Sequence, residues 1–202
     1  MKLFLKSSFF CVHWVLMPVF ASLLFFSKTP QFFPENIIKA KILAVGILSI
    51  FIPVVFYFLM RNLKFIHNKH LSSFQERKTP LVFFSICLLL ITNFILNSVD
   101  YFELRCFFWG YLATILVTVI LCFLKKTPDL QTMGISAFLG FCLGFSYFYH
   151  LPIGYWLAVT VVISGWVFSA QLQENNSYKK LFTGAFIGLL PQLLIFGFLS
   201  GF

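Results

Sequence analysis

Long apolar runs alternate with short polar intervals along this chain, and seven of the runs are long enough to cross a bilayer. A membrane helix needs about 20 apolar residues, rising 1.5 Å each, to cross a hydrocarbon core of roughly 30 Å. The pattern predicts spans over about 9–26, 42–60, 81–96, 106–124, 130–149, 153–170 and 181–202. The expected fold class is therefore all-α, a polytopic transmembrane helical bundle forming one integral-membrane domain over residues 1–202. A six-span alternative makes the turn from His150 to Gly154 a re-entrant pair, which breaks the alternation of charge at Lys179 and Lys180, so it ranks second.

Polar punctuation refines the picture. Lys2 and Lys6 precede the first apolar run, as in a signal peptide, but small residues around Ala21 to Ser27 are poorly placed for cleavage, so the run reads as a retained helix. Pro18 predicts a kink in it, Pro53 lies inside the second span, and Pro80 is expected in the first turn of the third. The connection KTPQFFPENIIKAK, residues 28–41, carries two prolines and an aromatic pair and is expected to lie along the membrane interface.

Composition turns the pattern into a membrane assignment. The chain is 60% hydrophobic and 10% charged, against roughly 45–50% and about 25% for a soluble domain. Thirty residues are Phe and twelve Lys stand against three Arg, which reads as coding bias rather than chemistry. Cys11, Cys87, Cys106, Cys122 and Cys142 lie in or beside apolar runs with no two-residue spacing, so neither a disulfide framework nor a zinc site is indicated, and they read as small core residues.

The formal charge of +9 sits in short loops and forms no stripe along a polar helix, so nucleic acid is not an expected partner. The longest polar interval, RNLKFIHNKHLSSFQERKTP at 61–80, sets Arg61, Lys64, Lys69, Arg77 and Lys78 against Glu76 alone. Loops rich in Lys and Arg stay on the cytoplasmic side. An inside amino terminus places Lys2, Lys6, those five cations, Lys125, Lys126, Lys179 and Lys180 there. Lys28, Lys39, Lys41 and Arg105 remain outside, near Glu35, Asp100 and Glu103. The expected orientation is amino terminus cytoplasmic and carboxyl terminus periplasmic.

Candidate chemistry is sparse. Polar groups inside a bilayer are costly and so count as functional candidates; here they are His13, Asn93, Thr114, Thr118 and Gln192. No acid or cation lies deep in a span, which weighs against an ion-coupled transporter. Gly140 with Gly144, Gly184 with Gly188, and Gly197 with Gly201 stand four apart, a spacing that lets a neighbouring helix approach closely. His67 and His70 lack an acidic or cysteine neighbour to complete a metal shell, and no metallohydrolase, nucleophile-elbow or phosphate-loop motif occurs. No catalytic residue, metal or cofactor is therefore assigned. The segments ERKTP (76–80), KKTPDLQTMG (125–134) and QLQENNSYKKLFTG (171–184) put Arg77, Lys78, Lys126, Lys179 and Lys180 at helix boundaries, where cations could hold a lipid phosphate or simply obey the topology rule.

In the order of these segments over roughly residues 60–195 the chain resembles the type 2 phosphatidic acid phosphatase family, in particular the short, divergent membrane proteins of that group common in Bacteroidetes. The resemblance implies a bacterial inner-membrane protein and a metal-independent hydrolysis of lipid phosphate, with one histidine attacking phosphorus and another protonating the leaving oxygen. Where the family carries Ser-x-His this chain reads Asp129, Leu130, Gln131, and where it carries Arg and then the nucleophilic His it reads Gln171 and then Asn175, Asn176, Ser177. Only Arg77, Lys78, Pro80 and Lys126 match phosphate-holding positions. Bacterial members acting on envelope lipid phosphates often present their site to the periplasm, whereas charge bias puts these segments inside.

The expected function is that of a non-catalytic member that binds a lipid or serves as an accessory subunit, with membrane lipids and further membrane subunits or a second copy as partners. A lipid-phosphate hydrolase with an unorthodox nucleophile, and a transport component lined by Asn93, Thr114, Thr118 or Gln192, are the alternatives.

Overall fold

The computed structural model describes residues 13–63, 74–97, 99–149, 154–173 and 177–199. Seven helices and no strand occur among them. Helix α1 is Met17–Lys28, opened by a 3-10 turn at Trp14–Leu16. Helix α2 is Glu35–Asn62, with a π-helical turn at Ile47–Phe51. Helix α3 covers residues 74–95 and closes on a second π turn, Ile91–Ile95. Helices α4 to α7 are Phe102–Phe123, Leu130–Tyr149, Gly154–Gln173 and Tyr178–Leu199.

Helices α2 to α7 are each long and apolar enough to cross a membrane, and the chain is an all-α, multi-pass membrane protein. The first helix is apolar but shorter over Trp14–Lys28, and residues 9–12 of the span expected there lie outside the described residues. Among the described residues six helices thus have the length and apolar character of the seven spans expected. Large side chains are exposed along the spans, among them Phe94 at 75%, Val162 at 71% and Phe198 at 71%. Lipid tails, not water, suit such a surface.

Three boundaries differ from the hydrophobic pattern. Helix α2 starts at Glu35, not near 42, so the connection expected along the interface shrinks to 29–34. Pro34 is extended (φ −59°, ψ 136°) and its carbonyl accepts the Ile37 and Ile38 N–H groups. Glu35 then pairs with Lys39 one turn on, at 3.0 Å, which lets the helix continue through polar residues. Helix α3 starts at Phe74, which puts Pro80 inside it and not in its first turn. Helix α7 begins at Tyr178, three residues before the apolar run.

The chain packs as two compact units, residues 18–127 and residues 128–202 with 1–17. In the 18–127 unit α2 and α3 run antiparallel: Lys41 meets Ile95 near one end, and Phe56 stacks on Phe83 further along (3.8 Å, 9°). Helix α4 is the most enclosed, with Leu104, Phe107, Phe108, Tyr111, Ile115 and Cys122 fully buried. Phe107 stacks on Tyr111 at 5.6 Å, and Phe84 of α3 meets Tyr111 edge-on at 6.3 Å. Beyond Phe123 the Lys126 N–H donates to the Leu121 carbonyl (2.8 Å) and the Lys125 N–H to Cys122 (3.2 Å), with Lys125 at φ 60°. This is the helix-ending motif that usually carries glycine, here held by a lysine.

In the second unit α5 and α7 run parallel, because their contacts climb together. A Cβ on Gly184 would lie 2.6 Å from the Asp129 carbonyl, one on Gly188 2.2 Å from the Met133 carbonyl, one on Gly140 2.8 Å from Gln192 Cβ, and one on Gly144 2.3 Å from Phe196. Toward the start of the pair the notches are on α7, and toward the end they are on α5. Gly134 makes a further notch, 2.7 Å from Trp14 Cβ. A Cβ on Gly197 would meet nothing within 4 Å, and Gly201 lies outside the described residues.

Because the Gly188 neighbour is backbone and cannot turn aside, Gly188→Ala is expected to lower stability by about 1–3 kcal/mol, the usual scale of overpacking. Gly165 of α6 has nothing within 4 Å, so Gly165→Ala should leave the melting temperature in detergent unchanged or slightly raised. Equal melting temperatures for both variants would contradict the close α5–α7 approach.

Candidate functional site

The five candidate phosphate-binding cations divide between the two units. In the 18–127 unit, Arg77 and Lys78 stand near the start of α3, and the antiparallel return of α4 brings its last turn to the same end. Lys78 Nζ lies 4.1 Å from the centre of the Phe123 ring, a cation–π contact that fixes the ammonium. Both Arg77 and Lys78 are within electrostatic reach of Cys122. Lys126 is exposed, with its backbone built into the end of α4. Between α2 and α3 runs an open groove of about 320 Å³, lined by Phe56, Lys78, Thr79, Val82, Phe83 and Ile86.

The opposite end of this unit is closed by an aromatic cluster. Tyr101 stacks on Phe33 (5.3 Å, 20°) and meets Phe26 edge-on at 6.0 Å. Lys41 Nζ sits 5.0 Å above the Tyr101 ring and donates to the Ile95 carbonyl. That carbonyl belongs to the last turn of α3, which lacks a helical partner of its own, and a cation there also suits the helix dipole. Lys41 thus has a structural role that the charge pattern along the chain does not signal.

In the other unit a polar knot joins the ends of three helices. Asp129 Oδ2 accepts the Thr132 N–H at 2.8 Å, capping α5, while the Asp129 N–H donates to the Lys180 carbonyl at 3.2 Å. The Thr132 hydroxyl donates to the Asp129 carbonyl at 3.2 Å. Gln171, at the end of α6 and 3% exposed, donates from Nε2 to Gln131 Oε1 at 2.7 Å. Lys179 and Lys180 are exposed at the start of α7. Gln131 and Gln171 are two of the positions at which the sequence departs from the phosphatase pattern. They are 40 residues apart, so no local spacing signals their meeting; only their shared place at a polar helix end hints at it. Two neutral amides bonded to each other offer neither a nucleophile nor a proton at neutral pH. Asn175 and Asn176 lie outside the described residues.

The intramembrane candidates divide between the units, Asn93, Thr114 and Thr118 in one and His13 and Gln192 in the other. Thr114 and Thr118 are fully buried, and their hydroxyls donate to the Gly110 and Thr114 carbonyls of their own helix, each at 2.9 Å. Asn93 faces outward and donates to the Leu89 carbonyl one turn back at 3.0 Å. Gln192 is fully buried against Gly140, and the His13 ring lies 5.7 Å from that of Trp14. Cys87, Cys106, Cys122 and Cys142 are buried free thiols. Among the described residues no group of three or more His, Cys, Asp or Glu side chains comes together; Cys11, His67 and His70 lie outside them.

Compared with known proteins, the chain matches no protein-family model, no curated protein and no solved structure.

Cutting one partner of a buried amide pair leaves the other facing apolar surroundings, a loss of about 1–2 kcal/mol in a membrane bundle. Gln171→Leu should therefore destabilise the protein, and the double change with Gln131→Leu should recover part of the loss in a double-mutant unfolding cycle. Strictly additive losses would show that the two amides are not coupled.

Proposed function

We propose that this chain is a non-catalytic, multi-pass protein of the bacterial inner membrane that binds an anionic, phosphate-bearing lipid at the basic end of its 18–127 unit. The observation that carries the reading is the concentration of cations at one end of that unit. At one end Lys39 pairs with Glu35, and Lys41 is held by the Ile95 carbonyl and Tyr101. The other end gathers Arg61, Arg77, Lys78, Lys125 and Lys126 around helix boundaries, with Glu76 the one acid in those stretches of sequence. Cations placed at the membrane surface attract anionic headgroups at about 1 kcal/mol each. The amide pair at Gln131 and Gln171, in place of the acid–base groups a phosphatase needs, supports a binding role over a hydrolytic one.

An accessory-subunit role is a second reading, favoured by α6, where Ala158, Val162, Gly165 and Ser169 follow one another along an exposed row and Gly165 meets nothing within 4 Å. A stoichiometric membrane partner that is lost on Gly165→Leu would favour that reading.

Purified protein is expected to retain phosphatidylglycerol or phosphatidate at least about tenfold over phosphatidylcholine in native mass spectrometry, a preference weakened by Arg77→Gln with Lys78→Gln and by high salt. Release of inorganic phosphate from phosphatidate, abolished by those same substitutions, would overturn the non-catalytic reading. For orientation, Lys125→Cys should react with an impermeant thiol reagent only from the cytoplasmic side and Asn97→Cys only from the periplasmic side; the reverse pattern would invert the topology.

A further inference from the structure

We infer that the groove between α2 and α3 is the seat of one acyl chain of that anionic lipid, with the headgroup on Lys78 and Thr79; the inference rests on the lipid-binding reading and assigns it a place. The groove has the polarity of an amphiphile. Lys78, Val82 and Ile86 succeed one another at four-residue intervals, and Thr79 and Phe83 form the adjacent row. Such rows lie side by side on one helix face. From Lys78 to Ile86 the helix rises about 12 Å, so the groove begins at a cation and a hydroxyl and continues over purely apolar side chains into the span.

Two features separate this groove from ordinary lipid-facing surface. One wall is an aromatic stack, Phe56 of α2 lying flat on Phe83 of α3 at 3.8 Å and 9°. The groove's mouth carries a cation, the Lys78 ammonium, which lies 4.1 Å from the Phe123 ring. The floor stays open, with Val82 42% and Ile86 50% exposed. A zwitterionic headgroup would bring a second cation against Lys78 and the nearby Arg77, whereas an anionic one would not. The occupant argued for is therefore a bilayer lipid with an anionic headgroup, chosen by charge complementarity at one end and apolar fit along the rest.

The test uses the full chain purified in detergent and titrated with phosphatidylglycerol and phosphatidylcholine, read by native mass spectrometry. Val82→Trp and Ile86→Trp fill the floor and are expected to cut phosphatidylglycerol adducts about tenfold. Phe94→Trp, exposed on the same helix outside the groove, should leave them unchanged. Lys78→Gln should reduce the preference for phosphatidylglycerol while leaving a lipid adduct in place. Phosphatidylglycerol carrying a photoactivatable acyl chain should label the unaltered chain at Phe56 or within residues 78–86, a readout that does not depend on any variant folding. If the groove-filled variants fold and keep their phosphatidylglycerol, or the label falls elsewhere, the groove assignment fails while headgroup binding stands. If the unaltered chain shows no preference for phosphatidylglycerol, both readings fall.

Discussion

A backbone N–H or C=O left unpaired in hydrocarbon costs several kcal/mol, and this structure is arranged around avoiding that cost. Six helices satisfy their interiors by construction, so the distinctive residues cluster where a helix stops or its ladder is disturbed. Lys41 serves the final turn of α3 through the Ile95 carbonyl. Lys125 accepts a left-handed backbone so that Lys125 and Lys126 can close the end of α4. Asp129 supplies its carboxylate to the first turn of α5. The π turn at Ile47–Phe51 falls just before Pro53, whose ring crowds the carbonyl four residues back and whose missing N–H disturbs the same stretch of ladder. Four buried hydroxyls follow the rule too: Ser22, Thr114, Thr118 and Thr160 each bond the carbonyl of their own preceding turn.

With the backbone satisfied, the helices still need a reason to associate, and hydrophobic burial does not supply one among lipid tails. Close approach does. Helices α5 and α7 come together because glycines on one receive bulk or backbone from the other, Gly184 and Gly188 at the lower half and Gly140 and Gly144 at the upper. The 18–127 unit uses a different solution, large aromatic rings interlocked around Tyr111 and Tyr101. The abundance of Phe that composition alone attributes to coding bias is thus partly at work in packing: Phe33, Phe56, Phe83 and Phe107 each stack on a ring at defined geometry.

The proposed function rests on where the cations lie. Thr114, Thr118 and Asn93 looked like candidates because polar groups in a bilayer demand an explanation, and hydrogen bonds to their own helices provide a structural one. The cations split by location. Those near Phe33 and Tyr101 close a helix end, whereas Lys78 stands at the head of an apolar groove. A charge that is fixed in place and faces an amphiphile-shaped surface is the feature on which lipid recognition can be built.

The sequence by itself determined the class of the protein and the run of its membrane helices, because hydrophobicity over 18 or more residues is a local property and the bilayer sets its length. It also marked the glycine pairs and the cation-bearing helix ends. Helices α2 and α3 begin before their apolar runs, at Glu35 and Phe74, because the backbone ladder continues through polar residues that hydropathy treats as loop or boundary. Only the tertiary structure decided that α5 and α7 lie parallel and interlock, that Gly134 makes a close approach to Trp14, that Lys41 caps a helix 54 residues away, and that Gln131 meets Gln171. Each of these depends on which helix faces which and in what register. That is fixed by shape complementarity between distant segments, and no periodicity within a single segment records it.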